Sequence, residues 1–295
     1  MTGPLLAAAA GVGFGAFQTL NRRAVGRMSD AYLATFLQLL IAMLVLLAAS
    51  SATEGFGRLR DAPTSALVWF GAAGLVHFFV GWTLLNMSQM RVGAARTSPL
   101  LATNPVWGAA FAAAWLGEVP SAVAWLAVVL VVVGALVVSL ERVGTKGWRG
   151  GWWAAAPGLA TAFAWSISPI FIKEGLRGLD SPLLGLTLGM AVALVAYAAA
   201  LPLRPRVGGA LLGSWDSLTF KLAAGIMVGL SVLARWQSLD SAGIAVVLAL
   251  GLLSVPVVLV CSPLLMGRHV EHVTPAVWAG AALVVVGALL LIAAS

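Results

Sequence analysis

Long apolar runs, each about as long as a membrane is thick, alternate with short polar or Gly/Pro-containing breaks along the whole chain. Ten runs can be delimited: Pro4–Val25, Ala31–Ser50, Ala66–Asn86, Val92–Leu116, Pro120–Leu140, Trp152–Ile172, Pro182–Pro202, Leu218–Gln237, Ala242–Met266 and Val273–Ala294. A spanning helix needs roughly 20 predominantly apolar residues, and no run shows the period-two alternation of a barrel strand. In hydrocarbon only helices and closed barrels pair every backbone group internally. The pattern therefore predicts an all-α membrane protein with ten transmembrane helices. The longest breaks, Ser51–Ser65, Glu141–Gly151 and Leu203–Ser217, are too short to hold a soluble catalytic domain. Pro4–Leu20 has no basic flank before it and runs into Asn21-Arg22-Arg23 instead of a small-residue cleavage site, so it reads as the first span.

The runs repeat. TNPVWGAAFAAAWLGE (Thr103–Glu118) and SVPVVLVCSPLLMGR (Ser254–Arg268) share the order small polar residue, proline, apolar run, glycine, charge. Aligning Pro105 with Pro256 also aligns Ala72-Ala73-Gly74 with Ala223-Ala224-Gly225. Small shifts then bring Gly117 onto Gly267, Trp125 onto Trp278, and VVVGALVV (Val131–Val138) onto VVVGALLL (Val284–Leu291). The chain divides into a first five-helix repeat, 1–145, and a second, 146–295. Five is odd, so the second repeat is expected to enter the membrane inverted relative to the first. Inverted repeats place a substrate site near the midplane between the halves, which argues for a carrier working by alternating access. A proline within a helix removes a backbone bond and bends the helix, and in a membrane the freed carbonyl is tolerated only against protein or a water-filled cavity. Pro105 and Pro256 are thus expected at kinks beside a cavity.

Two five-span repeats, each with a proline in its fourth span, a Gly-plus-charge break (Gly117-Glu118, Gly267-Arg268) and a closing VVVGAL helix, resemble the EamA-type transporters of the drug/metabolite transporter superfamily. The resemblance covers essentially the whole chain. It implies export of small organic metabolites, most characteristically amino acids, from a monomer in the bacterial inner (plasma) membrane, with both termini inside. It also implies that Trp165, in AFAWSISP, borders the substrate path. The sequence departs from the family pattern at Arg268, where an acid is usual, and at Phe17-Gln18, which stand opposite Trp165 in place of an early tryptophan.

Composition narrows the partners. Of 295 residues, 61% are hydrophobic and 9% charged, against about 25% charged in soluble domains; the mean hydropathy is +1.01. The net charge of +7 suits loops near anionic lipid headgroups, and no basic cluster interleaved with aromatics suggests nucleic acid. The single cysteine, Cys261, excludes an intrachain disulfide framework. No cofactor is expected. There is no phosphate-binding GxxxxGK[ST] loop for a pump, and no ring of like side chains for a channel. His269-Val270-Glu271-His272 has metal-ligand spacing but no further ligands nearby, so no metal site is expected.

The candidate site residues are the polar groups inside the runs. His77 is the one histidine within a span, able to donate to a carboxylate or to titrate near neutral pH. At 100° per residue, Trp82 and Asn86 would lie on other faces of its helix. Trp165 offers a flat apolar wall plus one donor, with Ser168 on nearly the same face. Gln18 is the approximate counterpart of Trp165. Asn104 and Ser254 flank the two prolines, and Gln38 and Gln237 are weaker candidates; each of these also has a purely structural explanation, a bond between helices. Arg22, Arg23, Arg96, Lys173 and Arg235 stand at or just inside span ends, where snorkelling explains them; alternatively, one of them attracts a substrate carboxylate.

All ten acidic residues fall in breaks or at span ends. Ion-driven carriers commonly keep a buried carboxylate on the ion path, so the pattern favours a facilitator; a proton-coupled multidrug or metabolite efflux carrier, or a channel, is the alternative. With the N-terminus inside, Lys and Arg are more numerous in the outer breaks than the inner ones, against the positive-inside tendency. The topology implied by the resemblance is tested directly by reporter fusions: at Ser295 the reporter should be cytoplasmic, and at Thr145 exterior.

Overall fold

Backbone amides in hydrocarbon have no water to bond, and the chain satisfies them almost entirely within helices. The computed structural model describes residues 2–25, 31–92, 100–143, 153, 155–203, 215–266 and 274–294. Among these it is all-helical, with no strand. In chain order the helices are α1 (Thr2–Val25), α2 (Ala31–Thr53), the short α3 (Gly57–Asp61) and α4 (Thr64–Gly74). α4 continues through a π-helical segment, Leu75–Gly81, into α5 (Trp82–Val92). There follow α6 (Asn104–Leu116), α7 (Ala122–Val143), α8 (Ala156–Gly178), α9 (Pro182–Ala200), α10 (Trp215–Ser241), α11 (Ile244–Gly251), α12 (Ser254–Met266) and α13 (Pro275–Ala293). The His269–His272 motif, Arg96 and the Gly267-Arg268 break lie outside the described residues.

Among the described residues, seven stretches are long and apolar enough to cross a membrane: Thr2–Asn21, Tyr32–Thr53, Thr64–Leu85, Pro182–Ala200, Leu218–Ser241, Ile244–Cys261 and Pro275–Ala293. Ten were expected. The three missing correspond to α6, with 13 residues; α7, whose apolar part is Ala122–Val138; and α8, whose apolar run is diluted by Thr161, Ser166, Ser168 and Pro169.

Local chemistry sets several ends. Ser181 and Thr274 cap α9 and α13, accepting from the backbone N–H of Leu184 at 3.1 Å and of Val277 at 3.3 Å, each with proline next in sequence. Ser121 does the same for α7 through Ala124 N–H at 3.2 Å. Such caps satisfy donors that the first turn of a helix leaves orphaned. Gly117 ends α6 in the left-handed region at φ 70°, a conformation open to glycine without strain.

Small residues set the packing. The two VVVGAL helices cross each other: a Cβ on Gly134 would lie 2.5 Å from the Gly280 carbonyl, and one on Gly287 2.8 Å from the Ala127 carbonyl. Moving toward the N-terminus on α7 moves toward the C-terminus on α13, so these repeated helices run antiparallel. α1 is likewise antiparallel to α10, with Gly3 at Ser241 and Gly13 at Ser231. The α4–π rod is antiparallel to α8: Ala66 packs at Gly178, Phe70 at Gly175, and Gly81 at Trp165. The largest fully buried side chains include Trp236, Tyr197, Phe70 and Phe78, with Phe70 stacked on Trp236 at 5.9 Å.

One end of the bundle is laced shut. Glu118, just past Gly117, pairs with Lys173 of α8 at 2.5 Å, while its other oxygen accepts the Ile244 N–H at the uncapped start of α11, 3.0 Å away. Glu54 accepts from Arg58 at 2.8 Å and from the Ser181 hydroxyl at 2.6 Å, and Arg58 also donates to the Asp180 carbonyl at 2.8 Å. Gly280→Val should cost about 1–3 kcal/mol, the range for overpacking, read as a lower melting temperature of the detergent-solubilised protein. Gly57→Ala, where an added Cβ meets nothing within 4 Å, should leave melting unchanged.

Candidate substrate site

The π segment is the organising irregularity. Its wider turn, with i→i+5 bonding, disturbs the regular ladder, and angular spacing at 100° per residue does not carry through it. His77 sits in its middle. Carbonyls of the segment also accept from side chains of two other helices. The Trp165 Nε1–H donates to the His77 carbonyl at 3.1 Å, and the Tyr197 hydroxyl donates to the Phe78 carbonyl at 3.2 Å. Two glycine contacts permit this. Gly81 lets the Trp165 indole lie against the rod, and Gly74 meets the Gly189 backbone, bringing α9 and its Tyr197 close.

The His77 ring stacks on Trp165 at 5.6 Å between centroids, 18° from parallel, while its Nδ1 lies 2.8 Å from the Ser168 hydroxyl. His77 and Ser168 are buried, and Trp165 is half-buried. The Ser166 hydroxyl lies 2.7 Å from Asn104 Oδ1, 3.0 Å from the Asn104 carbonyl and 2.6 Å from the Ala162 carbonyl. A hydroxyl has a single hydrogen, so it serves one of these acceptors at a time and can exchange among them. His77, Trp165 and Ser168 thus form a polar cluster between the π segment and α8; at 100° per residue Ser166 stands about 160° from Ser168, so its bonds to Asn104 join α6 to another face of α8.

Asn104 owes its place to a break. Residues 102–103 leave the helical path before α6, and residues 252–253 do the same before α12. Three-residue bonds bridge both breaks: Thr103 N–H to the Leu100 carbonyl at 3.3 Å, and Leu253 N–H to the Leu250 carbonyl at 3.1 Å. The prolines therefore do not bend continuous helices. Pro105 and Pro256 stand in the first turn of the helix after each break, where a missing N–H costs little.

The other sequence candidates lie apart. Gln38 is buried and accepts from the Lys221 ammonium at 3.1 Å, which also donates to Asn21 Oδ1 at 2.6 Å. Gln18 and Gln237 are exposed, and Ser254 is buried at the start of α12; none of the three bonds to the cluster among the described contacts. At the laced end, Glu118 and Lys173 line a crevice of about 360 Å³ with Arg177, Asp180 and Asp240.

The model of the EamA-like transporter family matches residues 1–140. That similarity covers the part of the chain that holds His77 and Asn104; Trp165 and Ser168 lie beyond it. No curated protein matches the sequence. A crystal structure of another protein superposes with a TM-score of 0.70 at 20% identity, covering 96% of this chain and 96% of that one; at that identity the likeness shows the fold alone.

Sequence reasoning passed over Ser166, Tyr197 and Lys221, and it placed Arg235 at a span end. The signal for Arg235 was the run boundary: the eighth run was closed at Gln237, whereas the span extends to Ser241, which sets the arginine inside it. Tyr197 carried no signal, because its role depends on a π segment that apolar periodicity does not reveal. Tyr197→Phe should cost about 0.5–1.5 kcal/mol, the net worth of one hydrogen bond, since the Trp82 N–H still serves the Phe78 carbonyl; thermal unfolding in detergent measures it.

Proposed function

We propose that this EamA-like protein is a secondary carrier that exports small organic metabolites, amino acids foremost and among them aromatic or apolar ones, by alternating access. The moving bodies in this reading are two five-helix halves of opposite membrane sense, with α6, α7 and α8 taken as crossings beside the seven longer stretches. One observation carries it: α7 and α13, which hold the two VVVGAL copies, cross antiparallel through Gly134 with Gly280 and Ala127 with Gly287. Equivalent helices that meet head to tail are what inverted halves produce, and such halves open to either side by exchanging conformations. The matching caps at Ser121 and Thr274 and the matching breaks before α6 and α12 support the same reading.

The cluster of His77, Trp165 and Ser168, together with the Asn104–Ser166 pair between α6 and α8, is the substrate site of this proposal, and the Glu118–Lys173 lacing closes one of its exits. The carrier is read as a facilitator because no acidic side chain among the described residues stands mid-span. Purified protein in liposomes distinguishes the classes: saturable uptake with counterflow marks a carrier, ohmic current a channel, and product formation an enzyme. Trp165→Ala should slow amino acid counterflow about fivefold, as expected for a lost aromatic wall worth about 1 kcal/mol, while the protein stays monodisperse. Unchanged rates across aromatic and apolar amino acids would remove Trp165 from the site.

A further inference from the structure

We infer that Arg235 is the anion-recognising group of this site, and that the carrier selects its solutes by a carboxylate and not by an amine. The inference rests on the carrier reading above and adds the substrate class to it. Arg235 lies within the span Leu218–Ser241. The next residue, Trp236, is fully buried and stacked on Phe70, which fixes the rotation of α10 against α4. Trp236 also meets Gly189, against which Gly74 of the α4–π rod packs one turn before His77, so α10 lies along the rod beside the cluster.

This cation has been left without a partner. Among the described residues, two buried side-chain nitrogens lack any hydrogen bond, Arg235 Nη2 and Trp236 Nε1. They are on adjacent residues, and both are donors; what the region lacks is an acceptor. Arg235 as a whole is only half-buried. The other buried or half-buried cations of the described spans are engaged. Lys173 pairs with Glu118, Lys221 donates to Asn21 and Gln38, and Arg23 lies over the Phe220 ring at 4.3 Å. The paired acids hold other partners, Glu54 with Arg58 and Glu174 with Arg177.

Ionisable groups inside spans face the bundle interior and mark substrate or ion pathways, and a planar guanidinium matches a carboxylate through two parallel bonds. A solute carboxylate on Arg235 would leave its apolar or aromatic body for the half-buried Trp165. Nothing comparable waits for an ammonium, since no carboxylate among the described residues joins the cluster. The accepted class is therefore small monocarboxylates with an apolar or aromatic body: amino acids, their 2-hydroxy and 2-oxo analogues, and arylalkanoates. The corresponding decarboxylated amines are excluded.

The test uses full-length protein in liposomes preloaded with phenylalanine, and in detergent for melting. Wild type should exchange labelled phenylalanine, phenyllactate and 3-phenylpropionate, but not phenethylamine. Arg235→Met should reduce carboxylate exchange at least tenfold, with KM raised, and abolish the upward melting shift that 3-phenylpropionate gives wild type. Its melting temperature without ligand should equal or exceed that of wild type, because removing an unpaired buried charge relieves the fold; a structural arginine would lower it. Exchange of phenethylamine by wild type, an unchanged KM in Arg235→Met, or a lower ligand-free melting temperature in that variant would each overturn the inference while leaving the carrier reading standing. Absence of any counterflow by wild type would overturn both.

Discussion

In hydrocarbon a backbone N–H or C=O without a partner costs several kcal/mol, and this constraint governs where the chain can depart from a regular helix. Departures in the described residues carry additional bonds. In the π segment the His77 and Phe78 carbonyls also accept from Trp165 and Tyr197 of α8 and α9. The break before α6 is bridged by Thr103, whose hydroxyl donates to the Leu100 carbonyl at 2.7 Å. Side chains that bond an irregular backbone thus also gather around His77.

The same helices link the cluster to the laced end of the bundle. α8 carries Trp165, Ser166 and Ser168, and further along it Lys173. α6 begins at Asn104 and ends at Gly117-Glu118, the partner of Lys173. A displacement of α6 against α8 at the cluster is therefore felt at the Glu118–Lys173 pair and at the start of α11. In the proposed carrier, two arrangements of these contacts, biased by a bound solute, would supply alternating access. Ser166, with three acceptors and one hydrogen, sits where such a shift would exchange bonds without leaving a group unpaired.

Much of this was legible in the residues. The apolar runs announced helices, because spacing and length are all that lipid demands of them. The VVVGAL segments repeat, and Gly134 and Gly280 prove to be contact points between the helices that carry them. His77, Trp165, Ser168 and Asn104 were recognisable as polar residues in apolar surroundings. Gln18, Gln38, Gln237 and Ser254 had equal standing on that criterion, yet they lie outside the cluster. Polarity within a run says that a side chain needs a partner, not which partner it finds. Gln38 finds Lys221, a pairing between α2 and α10 that no local pattern encodes.

By itself, then, the sequence determined the membrane class, the helical secondary structure, the repeated VVVGAL segments and the inventory of polar groups, since each depends on composition and short-range periodicity along one chain. Only the tertiary structure decided which of those groups meet: the π turn that aims His77 at Trp165, the antiparallel crossing of α7 and α13, and the burial of Arg235 Nη2 without a hydrogen bond. Those outcomes depend on contacts between helices far apart in sequence, set by where a missing Cβ lets two backbones approach and by which side chains reach an irregular backbone.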